Sequence, residues 1–344
     1  MTAPTTPTTP TTPNNGNGDG DGNDSDRGPN IGKRFGPGIG RDPDMGRDPG
    51  VAPVDDSSLA LEALLTLREV DADTFTGASN RDPGFSSGSR RFGGELLAQG
   101  LRAAQATVAD RPVHSLHAYF LRPAPLDGEL IYRVRRIRDG RSFCVRSVEA
   151  VRDGQVLFVL DASFHVPEPG YSHTAEAPRV AQPEALPTEQ QRFEAARAAQ
   201  PARFAHRPFG TVLPPGPFDI RVVEDLWQAT SLPPRMHWWV RLRKPVADPA
   251  MNAAMAAFFS DDPIMDNALL PHGGRFNGGR FTTASLDHVM WFHEPLLLSD
   301  WHLFAMDSPV AGGARGLTRG QLFTRAGRLV ASAAQEVLMR PERG

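Results

Sequence analysis

The chain has 344 residues, 40% of them hydrophobic and 22% charged, with a formal net charge of -3 at pH 7. That balance suits a core-forming protein and excludes the strongly basic composition of a nucleic-acid binder. No run of 18 apolar residues occurs, so stable membrane insertion is not expected, and the single cysteine, Cys144, leaves no intramolecular disulfide and no cysteine-built metal site.

Residues 1–55 pass from Thr-Pro repeats into "NNGNGDGDGNDSDRGPN" with almost no large apolar side chain, and are expected to form a disordered leader. They lack the basic start and apolar stretch of a signal peptide, which favours a cytoplasmic location. "GFSSG" at 84–88 matches the G-x-S-x-G pattern, but no apolar strand precedes it, so Ser86 is read as part of a loop bordering a substrate entrance. Next, "FGGELLAQGLRAAQATVAD" places Leu96, Leu97, Leu101 and Ala104 on one stripe of a helix. From 113 to 165, "VHSLHAYFLRP", "GELIYRVRRIRDG", "RSFCVRSVEAVRDG" and "QVLFVLDASFHVP" read as an antiparallel meander. Cys144 lies in the third of these segments as a buried small hydrophobe. Residues 168–217 read as an extended linker with one short helix over 188–199.

A second round follows. "DPAMNAAMAAFFSDDP" predicts a helix with Asp248 as N-cap and Pro249 at its first position, stopping before Pro263. "TASLDHVMWFHEP", "SDWHLFAMDSPV", "GARGLTRGQLFTRAG" and "RLVASAAQEVLMR" then repeat the order and spacing of the first strand set. Phe120 matches Phe292, Pro123 matches Pro295, and Gly154 matches Gly327 after a one-residue slip, which makes an internal repeat. The fold class expected is α+β: two tandem helix-wrapped antiparallel-sheet repeats, over 56–167 and 218–344, with their sheets paired edge to edge around the helices.

In this order, "RFGGELLAQG", "VHSLHAYFLRP", "DGRSFCVRSVEA", "SLDHVMWFHEP", "GARGLTRGQLF" and "LVASAAQEVLMR" resemble the acyl-CoA thioesterase II family, whose members are double-hotdog proteins. The resemblance runs from about Leu59 to Arg340. It implies hydrolysis of fatty acyl-CoA to free fatty acid and coenzyme A, acyl-CoA as the substrate, no cofactor, and a homo-oligomer. It also implies three catalytic residues. The family's aspartate matches Asp261 in "FFSDDP", with the adjacent Asp262 as the alternative. Its hydroxyl residue, commonly threonine, matches Ser285, and its glutamine matches Gln335 in "AAQEV". A second departure is Glu95, where the family usually has glutamine.

The residue types suit the chemistry. Thioester hydrolysis needs a water held against the carbonyl, a base for its proton, and donors where negative charge develops. Asp261 is expected to serve the base role, Ser285 and Gln335 to fix the water, and Gly93 and Gly94 to let substrate approach the backbone at a helix start. Arg91, Arg122, Arg315 and Arg319 are candidates for the CoA phosphates, and Met251, Met255, Phe258 and Phe259 for the acyl channel. Asp287 and His288 are read as structural hydrogen-bonding groups, and the strand "TASLDHVMWFHEP" as having Ser285 toward the water and Trp291 and Phe292 in the core. With no HExxH, and with His272 and His293 scattered across strand faces, no metal is expected. Two rivals remain: a hotdog hydratase, which would place a His-Asp pair over the substrate, and a non-catalytic acyl-CoA-binding protein.

Overall fold

The computed structural model describes residues 56–79, 90–201, 216–227, 231–273 and 281–341; the expected leader at 1–55 and the "GFSSG" loop lie outside the described residues. A short helix α1 (Asp56–Leu64) leads into the hairpin β1 (Arg68–Asp71) and β2 (Thr74–Gly77). The first helix of the repeat, α2 (Gly93–Ala106), is followed by β3 (Val113–Phe120), β4 (Leu130–Asp139), β5 (Phe143–Arg152) and β6 (Gln155–His165). The turn between β5 and β6 uses Asp153 and Gly154 at φ 49° and 77°, the left-handed pair that matches the twist of a two-residue hairpin. As expected, Cys144 is buried in β5.

Among the described residues of the connection after β6 lies α3 (Glu189–Ala199), whose start is fixed by a capping box: Thr188 accepts from the Gln191 N–H, and the Gln191 side chain accepts from the Thr188 N–H. Arg192 of α3 donates to the carbonyls of Val222 and Glu224, tying the connection to β7 (Phe218–Val222). After β8 (Arg235–Leu242) come the second long helix α4 (Pro249–Ile264), the single turn α5 (Asp266–Leu269), β9 (Phe281–Ser285), β10 (Asp287–Phe292), β11 (His302–Gly312), β12 (Arg315–Thr324) and β13 (Leu329–Pro341).

Among the described residues, thirteen strands join one antiparallel sheet in the order β1-β2-β4-β5-β6-β3-β10-β13-β12-β11-β8-β7, with β9 paired to β13. Neither strand set is a simple meander. In the first, β3 pairs with β6 rather than with β4, and in the second β10 pairs with β13 rather than with β11. The first strand of each set therefore lies on the inner side, and the two meet: Asp287 to Trp291 of β10 pair with Tyr119 to Ser115 of β3. Each strand set by itself would leave its inner edge, β3 or β10, unpaired, and the join pairs these two edges with each other, leaving β1 and β7 at the ends of the sheet.

Helices α2 and α4 lie antiparallel inside the wrap. The amide of Gln105 at the end of α2 donates to the carbonyl of Ala250 at the start of α4 (3.0 Å), while Gly94 at the start of α2 abuts the Phe258 carbonyl near the end of α4. Helix α4 is apolar nearly all round, as a helix covered on every side must be, and each described residue from Met251 to Asp261 is buried. Asp248 caps it by accepting from the Ala250 N–H (2.9 Å), as expected. The helix does not stop before Pro263 but runs one residue past it. In a last turn the proline costs a single ladder bond, and the Asn267 amide donates to the Pro263 and Ile264 carbonyls just beyond.

Candidate active site

Ser260 and Asp261 sit in the final turn of α4, carried into the interior by the apolar helix before them. Asp261 is 2% exposed. Its neighbour Asp262 is exposed, one helical step of about 100° away. Three elements converge on the Asp261 carboxylate. The Ser285 hydroxyl at the end of β9 donates to Oδ1 (3.0 Å), the Gln335 amide in β13 donates to the same oxygen (2.9 Å), and the Gly94 N–H in the first turn of α2 also donates to the carboxylate. These donors favour the charged form, and the N-terminal end of α2 adds positive potential beside it. Burial outweighs them and raises the Asp261 pKa from 3.8 to about 6.

The segment from 283 to 295, expected as one strand, is two. Ser285 pairs with Val337 and Val289 pairs with Ala334, so four steps along β9–β10 face three along β13: a bulge at Leu286 and Asp287. The Asp287 carboxylate fills the interruption by accepting the Glu336 N–H (2.7 Å). In an unbroken strand residues 285 and 288 would face opposite sides of the sheet; the bulge lets both reach inward. His288 is wholly buried, with Nε2 2.9 Å from Ser260 Oγ, Nδ1 3.3 Å from Gln335 Oε1, and Nδ1 4.0 Å from Asp261 Oδ1. Burial lowers its pKa from 6.5 to about 4, so the ring is neutral at ordinary pH. Further along, Phe292 packs inward but Trp291 does not. It points out of the sheet with its ring edge-to-face on His117 at 5.7 Å, as strand alternation requires once Met290 and Phe292 are inside.

The other expected contacts fall in different places. Gly93 and Gly94 let other parts of the protein come close. A Cβ on Gly93 would stand 2.5 Å from Asp261 Oδ2, and one on Gly94 would stand 2.2 Å from the Phe258 carbonyl oxygen. Arg91, expected at the CoA phosphates, is a correction. It is buried, pairs with Glu95 (2.9 Å), and donates to the carbonyls of Ala78, Pro125 and Gly128, which leaves its guanidinium turned away from solvent. Glu95, where glutamine was expected, supplies the charge that makes this burial tolerable. Arg122, Arg315 and Arg319 are exposed; Arg122 donates to the Val156 carbonyl, while Arg315 pairs with Glu336 and Arg319 with Asp307. Met251, Met255, Phe258 and Phe259 all lie in the core, and Phe259 lines a small apolar cavity of about 10 Å³ with Ser260, Met290, Phe304 and Ala333. Among the described residues no group of His, Cys, Asp and Glu is arranged to hold a metal ion, and no helix is long and apolar enough to cross a membrane.

An antiparallel sheet wrapped around two helices, built from two repeats in one chain, defines a double-hotdog protein. A family model described as acyl-CoA thioesterase matches residues 219–338, and one described as acyl-CoA thioesterase N-terminal domain matches residues 81–165. The chain is 36% identical to acyl-coenzyme A thioesterase 8 of Mus musculus over 82% of its length and 89% of that protein, and 34% identical to acyl-CoA thioesterase 2 of Haemophilus influenzae over 80% and 96%. Among solved structures, an acyl-CoA thioesterase II from Mycobacterium marinum superposes with a TM-score of 0.67 at 32% identity, covering 83% of this chain and 99% of that one. The chain belongs to the acyl-CoA thioesterase family.

Proposed function

We propose that this protein hydrolyses acyl-CoA thioesters with water activated by Asp261 and held by Ser285 and Gln335. One observation carries the reading: a hydroxyl and an amide from two strands converge on one oxygen of a buried carboxylate whose pKa is about 6. A base of that pKa is ionised at neutral pH and still accepts a proton readily. In the reaction, Asp261 takes a proton from water as the water oxygen attacks the thioester carbon. The tetrahedral intermediate collapses, the C–S bond breaks with its electron pair going to sulfur, and the proton held on Asp261 passes to the leaving thiolate. The Ser285 and Gln335 side chains orient both the carboxylate and the attacking water. A hydratase needs a histidine facing the substrate, whereas the histidine here, His288, has both ring nitrogens directed at Ser260 and Gln335.

The test is release of free CoA thiol from acyl-CoAs of graded chain length by the wild type, D261N, D262N and Q335A. D261N is expected to lower kcat by about 10²–10⁴-fold while acyl-CoA still binds. Full activity in D261N with loss in D262N would move the base by one residue. Binding without thiol release in the wild type would make this a binding protein.

A further inference from the structure

Ser260 and His288 lie behind the catalytic carboxylate and have no part in the reaction as written, yet both are fully interior polar groups, 2% and 0% exposed. Polar groups so placed must be satisfied, and the way they are satisfied is directional. A carboxylate oxygen only accepts, so the side of Gln335 that faces Asp261 Oδ1 must be its NH2 group. The amide oxygen then faces His288 Nδ1 at 3.3 Å, and an oxygen there is satisfied only if Nδ1 carries the proton. A neutral ring protonated at Nδ1 has an acceptor at Nε2, and Ser260 Oγ, 2.9 Å away, has one hydrogen to give. That hydrogen has other outlets, the Ala257 carbonyl at 3.0 Å and the Met290 sulfur at 3.3 Å, but only the ring nitrogen would otherwise be left a buried acceptor without a donor.

We infer that His288, held by Ser260, is a positioning residue that locks the Gln335 side-chain amide with its NH2 toward Asp261, through a one-way series of hydrogen bonds from Ser260 to His288 to Gln335 to Asp261. The inference rests on the reading of Asp261 and Gln335 as the water site. Without the Nδ1–H donor, the inner oxygen of the Gln335 amide loses its partner and only the carboxylate holds the amide in that orientation. Flipped, it would set an oxygen against the carboxylate and withdraw one of the two donors on Oδ1. The neutral state of the ring follows from its burial, which lowers its pKa to about 4. The bulge at Leu286 and Asp287 is the backbone feature that makes the arrangement possible, because it turns Ser285 and His288 to the same side.

A double-mutant cycle tests this. H288L removes both ring contacts, H288N keeps a donor close to the Nδ1 position, and H288Q reaches toward Ser260 but presents no donor at Nδ1. In the otherwise wild-type chain, H288L and H288Q are expected to lower kcat by about 10–100-fold with KM little changed, while H288N retains most of kcat. In the Q335A background the same H288L change is expected to cost no more than about 2-fold, because the group it positions is gone. Equal losses in both backgrounds would make His288 a packing residue and overturn the inference, as would an H288N no better than H288Q when both melt like the wild type. If H288L fails to fold, the comparison of H288N with H288Q still decides. A fully active Q335A would instead remove the underlying water site. The two failures are thus distinguished by Q335A alone.

Discussion

At the scale of single residues, the Asp261 carboxylate sets both an activity profile and a stability profile, with opposite signs. As a base it must be ionised, so kcat is expected to rise with pH through about 6 and level off above it, which a pH-rate series of thiol release measures. For stability, the folded-state pKa of about 6 lies above the unfolded value of 3.8. A group raised in this way contributes its full stability below 3.8, and the contribution is lost as pH rises through 6. At pH 8 the folded protein therefore carries a buried charge costing on the order of 3 kcal/mol relative to the neutral acid. D261N is expected to lose most of its kcat yet to melt higher than the wild type at pH 8, with the difference closing at pH 4. A variant that melts lower at pH 8 would show that the donors around the carboxylate outweigh its burial. The sequence offered Asp261, Ser285 and Gln335 through their motif contexts. It did not offer Gly94 as a donor or His288 as a neighbour of Gln335, because each depends on a contact between segments far apart in the chain.

At the scale of elements, the site depends on how closely α2 and α4 approach. The first turn of α2 lies on the last turn of α4 with no room for a side chain at Gly94, where a Cβ would stand 2.2 Å from the Phe258 carbonyl oxygen and 2.4 Å from the Phe92 ring. G94A is expected to destabilise by about 1–3 kcal/mol in urea unfolding and, by moving the N–H off Asp261, to lower kcat as well. Unchanged stability would mean that the helices separate without penalty. On the other side of α4, Phe259 and Phe304 bound the small cavity behind Ser260, their ring centroids 5.9 Å apart. F304A is expected to cost about 3–5 kcal/mol and to shift the preferred acyl-CoA toward longer chains, read from kcat/KM across the series. A uniform fall across all chain lengths would place the acyl channel elsewhere.

At the scale of the whole molecule, the internal repeat predicts an asymmetry. The antiparallel helices make two related contacts, Gly94 with Asp261 and Ala250 with Gln105, and the paired positions are displaced along the chain by the same interval. By the repeat alignment Ser285 corresponds to Val113 and Gln335 to Ala162, so the counterpart of the water site holds Gln105, Val113 and Ala162 and no carboxylate. One catalytic site per chain is expected, not two. Titration with a non-hydrolysable acyl-CoA thioether should saturate at one equivalent per chain, and saturation at two would overturn this. The counterpart contact is instead structural, with the Gln105 amide bridging the helices.

The sequence by itself determined the two-repeat α+β organisation, a helix within 92–110 and the start of the helix at 249, and it offered the three residues proposed for the water site. The organisation and the helices are written in local periodicity, capping and repeat, which survive in one dimension, whereas the three residues came from the motifs that resemble the thioesterase family. Only the tertiary structure decided that β3 and β10 meet at the join, that a bulge splits the strand after Ser285, that Arg91 is spent on Glu95 and backbone carbonyls, and that Trp291 faces outward. Each of these depends on which distant segment lies alongside: strand order follows from closing the open edges of two sheets, and the fate of a charged side chain follows from the groups packed around it.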